Sequence, residues 1–373
     1  PFLVMALSAT VFFAQLAYIY ALGFLLFVLT KPNLRKRKRF QARVHRLFRY
    51  DLQHIPTVAW HEDAAIAKAL EEPAVVVCNH QSMLDAAIVM ALSPRLLIVA
   101  NEHASLNPVI RKVFDWFGHI RLVGSQALNV QLLQQALAEG YSIVLFPEGE
   151  RNAHSSILRF HKGAFHVAEM LQVDVVPLLL HGVNEVLPRN SWCVFAGKIT
   201  VGMGQRILAA DTTWGEDYVV RTKRVHQYYV DWYREVAEQI ETADYYRRLT
   251  LDKYRFKGVD VMREVKHDLR KFDNYAAWVD TPCTAQRVAV LNSGWGDFAL
   301  LFALTHRHIE VIAVEADADK TQLARYVADG LSLKWQAVET LSANDMADAV
   351  IFLLNPSVEE RARFEGRNVV VIE

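Results

Sequence analysis

The sequence predicts an α/β protein that consists of an apolar N-terminal helix followed by two α/β domains, the second smaller than the first. Three observations support this prediction. Residues 1–30 contain no charged side chain. From Val58 onward, short β-branched runs alternate with stretches of helical periodicity, which is typical of parallel strands covered by helices. After Lys253 the character of the chain changes, and a second set of strand-like runs begins at Arg287.

The N-terminal stretch is long enough to cross a bilayer, since about 20 apolar residues suffice. Its positive charges follow the apolar run rather than precede it, which argues against a secretory signal peptide. A buried core helix is the alternative. Residues 31–57 form a basic connector that opens with a cluster of cations between Lys31 and Arg39. We therefore predict a transmembrane or membrane-anchoring helix at residues 1–30. By the positive-inside rule, the cationic cluster places the rest of the chain on the cytoplasmic side of the inner membrane.

The charge balance and the cysteines exclude several classes of protein. The chain has 41 Lys and Arg against 41 Asp and Glu, so its balance suggests no nucleic-acid partner. Cys78, Cys193 and Cys283 lie far apart, without metal-ligand spacing or a disulfide framework, which favours a reducing compartment and no metal site. The chain begins at Pro1 without an initiator methionine, and we expect it to be a fragment of a longer protein or a processed product.

The first chemical motif lies between a strand and a helix. The buried-strand pattern Val75–Cys78 leads into Asn79-His80-Gln81-Ser82-Met83-Leu84-Asp85, and an apolar helical run follows. A histidine with a nearby carboxylate is the minimum for general-base chemistry, because the carboxylate fixes the tautomer and stabilises the imidazolium. A lone histidine is more often structural, so the interpretation depends on the rest of the chain.

Three later blocks strengthen the interpretation of His80 and Asp85 as a catalytic pair. They are Phe146-Pro147-Glu148-Gly149-Glu150-Arg151, Phe160-His161-Lys162-Gly163-Ala164-Phe165 and Val175-Val176-Pro177-Leu178. In this order and rough spacing, the four blocks resemble the glycerolipid acyltransferase family, which includes the lysophosphatidic acid acyltransferases. The resemblance implies an α/β domain with a mixed sheet, which we place at residues 58–248.

The resemblance also implies a reaction. His80 would remove the proton from an acceptor hydroxyl with Asp85 as its orienting partner, and the oxygen would attack the thioester of acyl-CoA or acyl carrier protein. The acceptor would be a lysophospholipid or related lipid at the membrane. No covalent acyl-enzyme, metal or cofactor is implied, and backbone N–H groups near the helix start would hold the oxyanion. The residues that would bind substrate are Asn79, Ser82, Arg121, Glu148, Gly149, Arg151 and Lys162.

Two departures from the family pattern leave the acceptor open. A further block of the family, which aligns with Phe117–Val123 here, usually ends in an arginine that helps hold the acceptor's phosphate, but this chain has Gly124 there, and the nearest arginine is Arg121. In the Phe146–Arg151 block, Glu150 replaces the usual threonine, and its carboxylate would repel a phosphate unless it points away. A different acceptor and a relocated arginine are both compatible with this pattern.

Acyltransferases of this kind are also known fused behind transporters that resemble the RND/MMPL lipid exporters. Together with the missing start, this resemblance suggests that residues 1–30 are the last transmembrane helix of such an exporter.

The C-terminal segment, residues 249–373, carries a second motif. Arg287–Ala299 is predicted to form a strand, a glycine turn with Gly294 and Gly296, and a helix, and the next strand ends on Glu315. The glycines allow close approach of backbone to a nucleotide, and an acid about 20 residues on can bind ribose hydroxyls. The pattern fits a dinucleotide fingerprint and equally resembles a class I S-adenosylmethionine (SAM)-dependent methyltransferase, so we expect a small Rossmann-like domain.

Departures from the motif leave the activity of this segment open. Asn292 replaces the usual acid after the first strand, and Phe298 stands where a third glycine would fall. A working SAM site and a degenerate or truncated structural module are both compatible with this pattern. Two functions therefore compete with acyl transfer: a SAM-dependent methyltransferase anchored by an inactive acyltransferase-like domain, and a lipid- or carrier-binding module without turnover.

Overall fold

The computed structural model describes residues 2–31, 33–100, 108–152, 156–188, 194–255, 257–270, 285–329, 331, 333–341, 349–364 and 369–372. The chain divides into two compact units, Pro1–Val236 and Ala237–Glu373. Two of the three cysteines, Cys193 and Cys283, lie outside the described residues.

The first unit alternates strands and helices, as the sequence predicts. Its elements in chain order are α1 (Phe2–Phe27), α2 (Leu34–His54), β1 (Val58–Glu62), α3 (Ile66–Ala69), β2 (Val75–Cys78), α4 (Leu84–Leu92), β3 (Leu96–Ala100), α5 (Pro108–Phe117), β4 (Ile120–Arg121), α6 (Gln126–Ala138), β5 (Ser142–Leu145), α7 (Gly163–Leu171), β6 (Val175–His181), α8 (Val183–Val186), β7 (Gly197–Met203), a 3-10 helix (Thr212–Trp214) and α9 (Tyr218–Ile240).

The described strands of this unit form one mixed sheet of seven, in the order β1-β7-β6-β2-β5-β3-β4. The pairing is parallel except between β6 and β7, which are antiparallel. The two neighbours β2 and β6 are buried along their whole length, which explains their continuous β-branched and aliphatic runs. This confirms the predicted α/β domain with a mixed sheet and places β2, the strand before His80, near the middle of it.

The N-terminal stretch forms the helix α1, but the prediction of a transmembrane helix at residues 1–30 is corrected. Within the described part of the chain, no helix has the length and the apolar character that crossing a membrane requires. Instead, one face of α1 packs on the first unit: Ile19 is buried, and the Phe27 ring packs edge-on against that of Phe40 on α2. At Gly23 an added Cβ would lie 2.1 Å from the Trp116 ring of α5. An apolar sequence does not separate a helix that packs on protein from one that spans lipid.

The second unit has its own parallel sheet. Its elements are α10 (Ala243–Lys253), α11 (Val259–Asp268), β8 (Arg287–Leu291), α12 (Asp297–Thr305), β9 (Glu310–Val314), α13 (Ala318–Ala328), β10 (Trp335–Val338), β11 (Ala349–Leu354), α14 (Val358–Arg363) and β12 (Val369–Ile372). The described strands are ordered β10-β9-β8-β11-β12, and every pair is parallel. The order reverses beside β8, and such a switch point opens a crevice at the carboxyl ends of the strands.

The observed boundary between the units lies before the predicted domain boundary at residue 249. Helix α10 explains the difference, because Tyr246 and Leu249 are buried in the same hydrophobic core as Phe298 and Phe302 of α12. These residues therefore belong to the second core. The predicted boundary places Tyr246 in the first domain and Leu249 at the start of the second, because helical periodicity alone does not show which core a helix joins.

Candidate active site

The first two predicted blocks meet at one edge of the mixed sheet. Strands β2 and β5 are parallel neighbours, with Val77 paired to Leu145. Their carboxyl ends therefore adjoin, and the residues that follow them share this edge. Asn79 and His80 follow β2, and Pro147 and Glu148 follow β5.

His80 and Asp85 form the predicted pair. His80 Nδ1 lies 2.6 Å from Asp85 Oδ2, and the His80 side chain is 23% exposed while that of Asp85 is fully buried. Asp85 lies in the first turn of α4, so the strand-to-helix turn brings it back beside the histidine. A carboxylate at Nδ1 favours the tautomer with the proton on Nδ1, which leaves Nε2 with a free lone pair. The imidazole is thus partly exposed, and its buried partner carboxylate lies on Nδ1.

Asp85 also fixes the backbone of the turn. The same Oδ2 accepts the backbone N–H groups of Gln81 at 2.6 Å and Ser82 at 2.8 Å. These N–H groups are therefore already used, and the prediction that backbone N–H groups at the helix start hold the oxyanion does not apply to these two. The turn and the carboxylate form one rigid unit around the histidine.

Glu148 connects the turn that follows β2 with the segment that follows β5. Its Oε1 accepts the His80 backbone N–H at 2.8 Å, and its Oε2 accepts the Leu158 backbone N–H at 2.8 Å. Burial raises the pKa of the Glu148 carboxyl to about 7, although these two hydrogen bonds oppose the shift. Asn152 completes the connection, because its backbone N–H donates to the His80 carbonyl at 2.7 Å. The backbone of His80 is thus held on both sides by the block that follows β5.

The imidazole packs on an aromatic ring. The Phe146 and His80 rings are stacked with centroids 4.2 Å apart and planes inclined by 24°. This stacking restricts rotation of the imidazole about its side-chain bonds, and the Asp85 hydrogen bond fixes its direction. The stacking does not follow from the motif spacing, since Phe146 lies in a different block.

The side chains of Asn79 and Ser82 hydrogen-bond to the backbone of β6 and of the segment that follows α8. Asn79 Oδ1 accepts the Leu180 N–H at 2.7 Å and its Nδ2 donates to the Leu180 carbonyl at 2.8 Å, so its amide extends the pairing of β2 with β6. Ser82 Oγ donates to the Leu187 carbonyl at 2.6 Å. Both residues are buried, and they shape the loop. Direct contact of either with substrate stays a prediction.

Three further predicted residues, Gly149, Arg151 and Lys162, lie at the same end of the sheet. Gly149 has φ +74, and a Cβ there would lie 3.0 Å from the His161 ring, so glycine suits this turn on both counts. Arg151 is half-buried, and Lys162 is the exposed residue that precedes α7. Their contact with a phosphate stays a prediction.

Arg121 lies apart from this cluster. It is on β4, at the edge of the sheet and three strands from β2, which corresponds to about 14 Å at the usual strand spacing. Its guanidinium pairs with Asp115 at 3.3 Å, and both groups are substantially exposed. A phosphate held by Arg121 would therefore extend well away from His80.

One contact to the turn between β2 and α4, which carries His80, is not predicted from the sequence. Gln81 Nε2 donates to the hydroxyl of Tyr233, at 3.0 Å, and both residues are buried. Tyr233 is on α9, 152 positions along the chain from Gln81. The only signal in the sequence is the four-residue spacing of Tyr229 and Tyr233, which places both rings on one helix face.

The predicted nucleotide motif of the second unit also assembles. Gly294 and Gly296 have φ +56 and +79, and Glu315 Oε2 accepts the Gly294 N–H at 2.8 Å. Glu315 Oε1 also accepts the Asp317 N–H at 3.3 Å. Phe298, in place of a third glycine, is buried in the core. The three residues predicted to bind a cofactor thus lie together at the end of β8 and β9.

Among the described residues, no group of three or more His, Cys, Asp or Glu side chains is placed to hold a metal ion.

Comparison with known proteins supports the interpretation of the first unit. Residues 46–181 match the model of the acyltransferase family. The chain is 27% identical over 165 residues to a 1-acyl-sn-glycerol-3-phosphate acyltransferase of Cocos nucifera, covering 42% of this chain and 53% of the relative. It is 28% identical over 176 residues to the human 1-acyl-sn-glycerol-3-phosphate acyltransferase alpha, covering 44% of this chain and 60% of the relative.

A similar enzyme of Chlamydomonas reinhardtii is 34% identical over 122 residues, which cover 32% of this chain and 37% of that enzyme. The chain thus spans between about a third and three fifths of the length of these relatives. The crystal structure of the 1-acyl-sn-glycerophosphate acyltransferase PlsC of Thermotoga maritima matches with a TM-score of 0.50 and 18% identity, covering 63% of this chain and 93% of that chain. This likeness shows the fold of the first unit.

Proposed function

We propose that the first unit transfers a fatty acyl group from a thioester to a hydroxyl of a lysophospholipid or related lipid. The observation that supports this best is the His80–Asp85 pair, with 2.6 Å between Nδ1 and Oδ2 and with the imidazole partly exposed. The match of residues 46–181 to the acyltransferase family, and the relatives named for acylglycerol-phosphate acylation, point to the same chemistry.

The reaction proceeds without a covalent enzyme intermediate. His80 Nε2 takes the proton of the acceptor hydroxyl while the oxygen forms a bond to the thioester carbonyl carbon. The tetrahedral intermediate collapses, the carbon–sulfur bond breaks, and the departing thiolate receives the proton from the imidazolium. Asp85 stabilises the imidazolium throughout, since its carboxylate is fixed by two backbone N–H groups besides the histidine.

The two substrates follow from the same chemistry. The donor is acyl-CoA or acyl carrier protein, and no other cofactor takes part in this step. Arg151 and Lys162, near the loop of Glu148, are the cations we propose for an acceptor phosphate. Arg121, on β4 and three strands from β2, would bind an acceptor group that extends across the sheet away from His80.

The site of action is the cytoplasmic face of the inner membrane. One face of α2 presents exposed cations at helical spacing beside Leu22 and Leu26 of α1, around a groove of about 970 Å³. The lining cations are Arg35, Lys38, Arg39, Arg43 and Arg46. Basic side chains next to apolar ones suit an anionic bilayer surface, where each cation contributes about 1 kcal/mol of binding free energy. Exposed apolar side chains on α1, among them Phe24 and Leu25, support contact with lipid.

The test is acyl transfer by the purified full chain in detergent or vesicles. Labelled acyl-CoA and acyl carrier protein are offered with lysophosphatidic acid, other lysophospholipids and neutral or amino-containing lipids. We expect turnover by the wild type and its loss in His80→Ala, with His61→Ala, an exposed histidine on β1, as the matched control. Equal turnover by wild type and His80→Ala would refute the mechanism. Substrate binding without turnover would favour the lipid- or carrier-binding module.

A second proposal concerns the second unit, which we infer binds SAM. The supporting observation is the cluster of Glu315 and Gly294 at the switch point of a parallel sheet. No atom lies within 4 Å of the place where a Cβ of Gly294 would be, so the loop leaves room for a ligand. Glu315 would hold the ribose hydroxyls and Gly294 would adjoin the amino-acid part of the molecule. SAM supplies an electrophilic methyl group when bound.

Calorimetric titration of the full chain with SAM tests this second proposal. We expect saturable binding that Glu315→Ala abolishes and that Asp260→Ala, an exposed carboxylate on α11, leaves unchanged. Absence of binding by the wild type would indicate that the substitutions at Asn292 and Phe298 have removed the site. The unit would then be a structural module.

A further inference from the structure

Helix α9 carries a buried stripe of side chains that faces the mixed sheet of the first unit. Its buried members, Arg221, Thr222, Val225, Tyr229 and Tyr233, recur every three to four residues, which is the spacing of one helix face. The two tyrosines are the last of them, at 0% and 4% exposure. The helix lies beyond residues 46–181, so the family model does not include it.

Tyr229 bridges the two central strands. Its hydroxyl donates to the Val77 carbonyl of β2 at 2.5 Å and accepts the Leu178 N–H of β6 at 2.9 Å. Val77 is paired with Pro177, and a proline in a central strand contributes no N–H. The Tyr229 hydroxyl thus supplies one donor and one acceptor to the β2–β6 pairing beside Pro177, where a backbone N–H is missing.

Tyr233 reaches the catalytic loop one helical turn further on. Its hydroxyl accepts the Gln81 Nε2–H at 3.0 Å, and its ring packs 5.1 Å from that of His181 at the end of β6. Among the described residues, the buried Gln81 Oε1 has no hydrogen-bond partner. Among the described residues, the bond to Tyr233 is therefore the one hydrogen bond that the Gln81 side chain makes.

Gln81 is coupled directly to the His80–Asp85 pair. Its backbone N–H donates at 2.6 Å to the same Asp85 oxygen that lies 2.6 Å from His80 Nδ1. A shift of Gln81 would move a donor away from Asp85 Oδ2 and change the direction in which that oxygen faces the imidazole. The chain of contacts runs from Tyr233 through Gln81 and Asp85 to His80.

We infer that Tyr233 is a positioning residue for the proposed acyl transfer, acting through Gln81 on the orientation of His80, and that Tyr229 stabilises the strands beneath it. This inference rests on the proposed function for its kinetic consequence, but its structural consequence stands independently. Helix α9 then belongs to the catalytic scaffold, although no residue of it touches the reacting atoms.

The conservative variant Tyr233→Phe isolates the hydroxyl, because it keeps the ring against His181. Loss of one neutral hydrogen bond between the positioning groups should lower kcat about 5- to 10-fold with little change in the KM of the acyl donor. Tyr228→Phe, on the same helix but in a cluster with Trp214 and Trp232, should keep the wild-type kcat. Tyr229→Phe should lower the melting temperature by several degrees.

A double-mutant cycle tests whether Tyr233 acts through Gln81. If it does, the double variant Gln81→Leu with Tyr233→Phe loses no more activity than the worse single variant. Multiplicative losses would overturn the inference, as would a wild-type kcat in Tyr233→Phe. His80→Ala run in the same assay shows separately whether acyl transfer depends on the proposed base.

A spectroscopic measurement keeps the inference falsifiable even if no acyl acceptor is found. In protein labelled with 15N-histidine, the Nδ1 resonance of His80 is identified by its absence in His80→Ala. We expect this resonance to shift or broaden in Tyr233→Phe and to remain at its wild-type position in Tyr228→Phe. An unchanged resonance in a folded Tyr233→Phe protein would overturn the inference whatever the activity.

Discussion

The carboxylate of Glu148 accepts the backbone N–H of His80 at 2.8 Å, between residues 68 positions apart in the sequence. The Glu148 carboxylate, which the sequence predicts to contact the acceptor, thus holds the backbone of the proposed base. Its pKa of about 7 lies near physiological pH, so the protonation state of this contact changes in the range where the protein works.

Replacing Glu148 should change how the stability of the first unit depends on pH. Because the folded-state pKa is about 7 and the ordinary value is 4.5, the folded protein retains a proton that the unfolded chain has released in between. Stability therefore falls as pH rises through this range, by up to about 3 kcal/mol. In Glu148→Gln this fall should disappear. Urea unfolding of both proteins between pH 5 and 8 measures it, with the exposed Glu71→Gln as control. Parallel curves for wild type and Glu148→Gln would contradict the assignment.

Asp85→Asn should lower both the activity and the stability of the protein. The amide cannot serve as a charged partner for the imidazolium, and we expect a loss of at least about 100-fold in kcat. In the native protein Asp85 Oδ1 is buried and has no hydrogen-bond partner among the described residues. An amide NH2 in that place would be unsatisfied and would cost about 1–3 kcal/mol of unfolding free energy. Initial rates and urea titrations measure the two effects. Asp115→Asn, which breaks an exposed ion pair, should change stability by less than about 1 kcal/mol.

The packing of α1 gives a prediction about stability. Since a Cβ at Gly23 would lie 2.1 Å from the Trp116 ring, Gly23→Ala should force the helix away from α5. Overpacking of this kind costs about 1–3 kcal/mol, which thermal unfolding detects as a lower melting temperature. Gly124→Ala is the matched control, because among the described residues no atom beyond its chain neighbours lies within 4 Å of its Cβ position. Equal melting temperatures for both variants would show that α1 does not pack on the first unit.

Asp297, at the start of α12, should make the second unit less stable at alkaline pH. Burial, followed by the charge of Asp268, raises its pKa from 3.8 to about 7. The folded state therefore binds a proton that the unfolded state lacks between these values, and stability declines as pH rises toward 7, by up to about 4 kcal/mol. At pH 8 the second unit of Asp297→Asn should resist unfolding by urea better than that of the wild type, and at pH 4 it should not. Urea-dependent proteolysis with mass spectrometry of peptides from residues 285–329 tests it. A wild-type profile for Asp297→Asn would contradict the prediction, and exposed Asp260→Asn serves as control.

Local patterns in the sequence were sufficient for the elements and for part of the site. The strand-to-turn-to-helix pattern around His80 and Asp85 predicted a contact between residues five positions apart, and a single turn determines such a contact. The same holds for Gly294 and Glu315, because a βαβ unit brings the ends of its strands together. The mixed sheet was expected from resemblance to a family with this fold.

Contacts between distant segments were not predictable in the same way. Tyr233 meets Gln81 across 152 positions, and nothing in the local periodicity of α9 distinguishes a tyrosine that reaches the site from one that only fills the core. The apolar character of α1 predicts a membrane span, but the helix packs on the first unit. Packing on protein and immersion in lipid favour the same side chains, so the sequence alone does not separate them. The position of Arg121, on β4 and three strands from β2, depends on the order of the strands in the sheet, which sequence distance does not reveal.

The pairing of the Asn79 amide with Leu180 also has a consequence for the order of folding. It joins positions 101 residues apart, and β6 must be in place before the turn of His80 has its final form. Contacts of such high sequence separation form late, because the loop between them must close first. Catalytic competence should therefore return in the slowest phase of refolding, after most of the helical signal. A chain stopped before β6 during synthesis would contain His80 and Asp85 but would lack the Leu180 backbone that fixes Asn79 beside them.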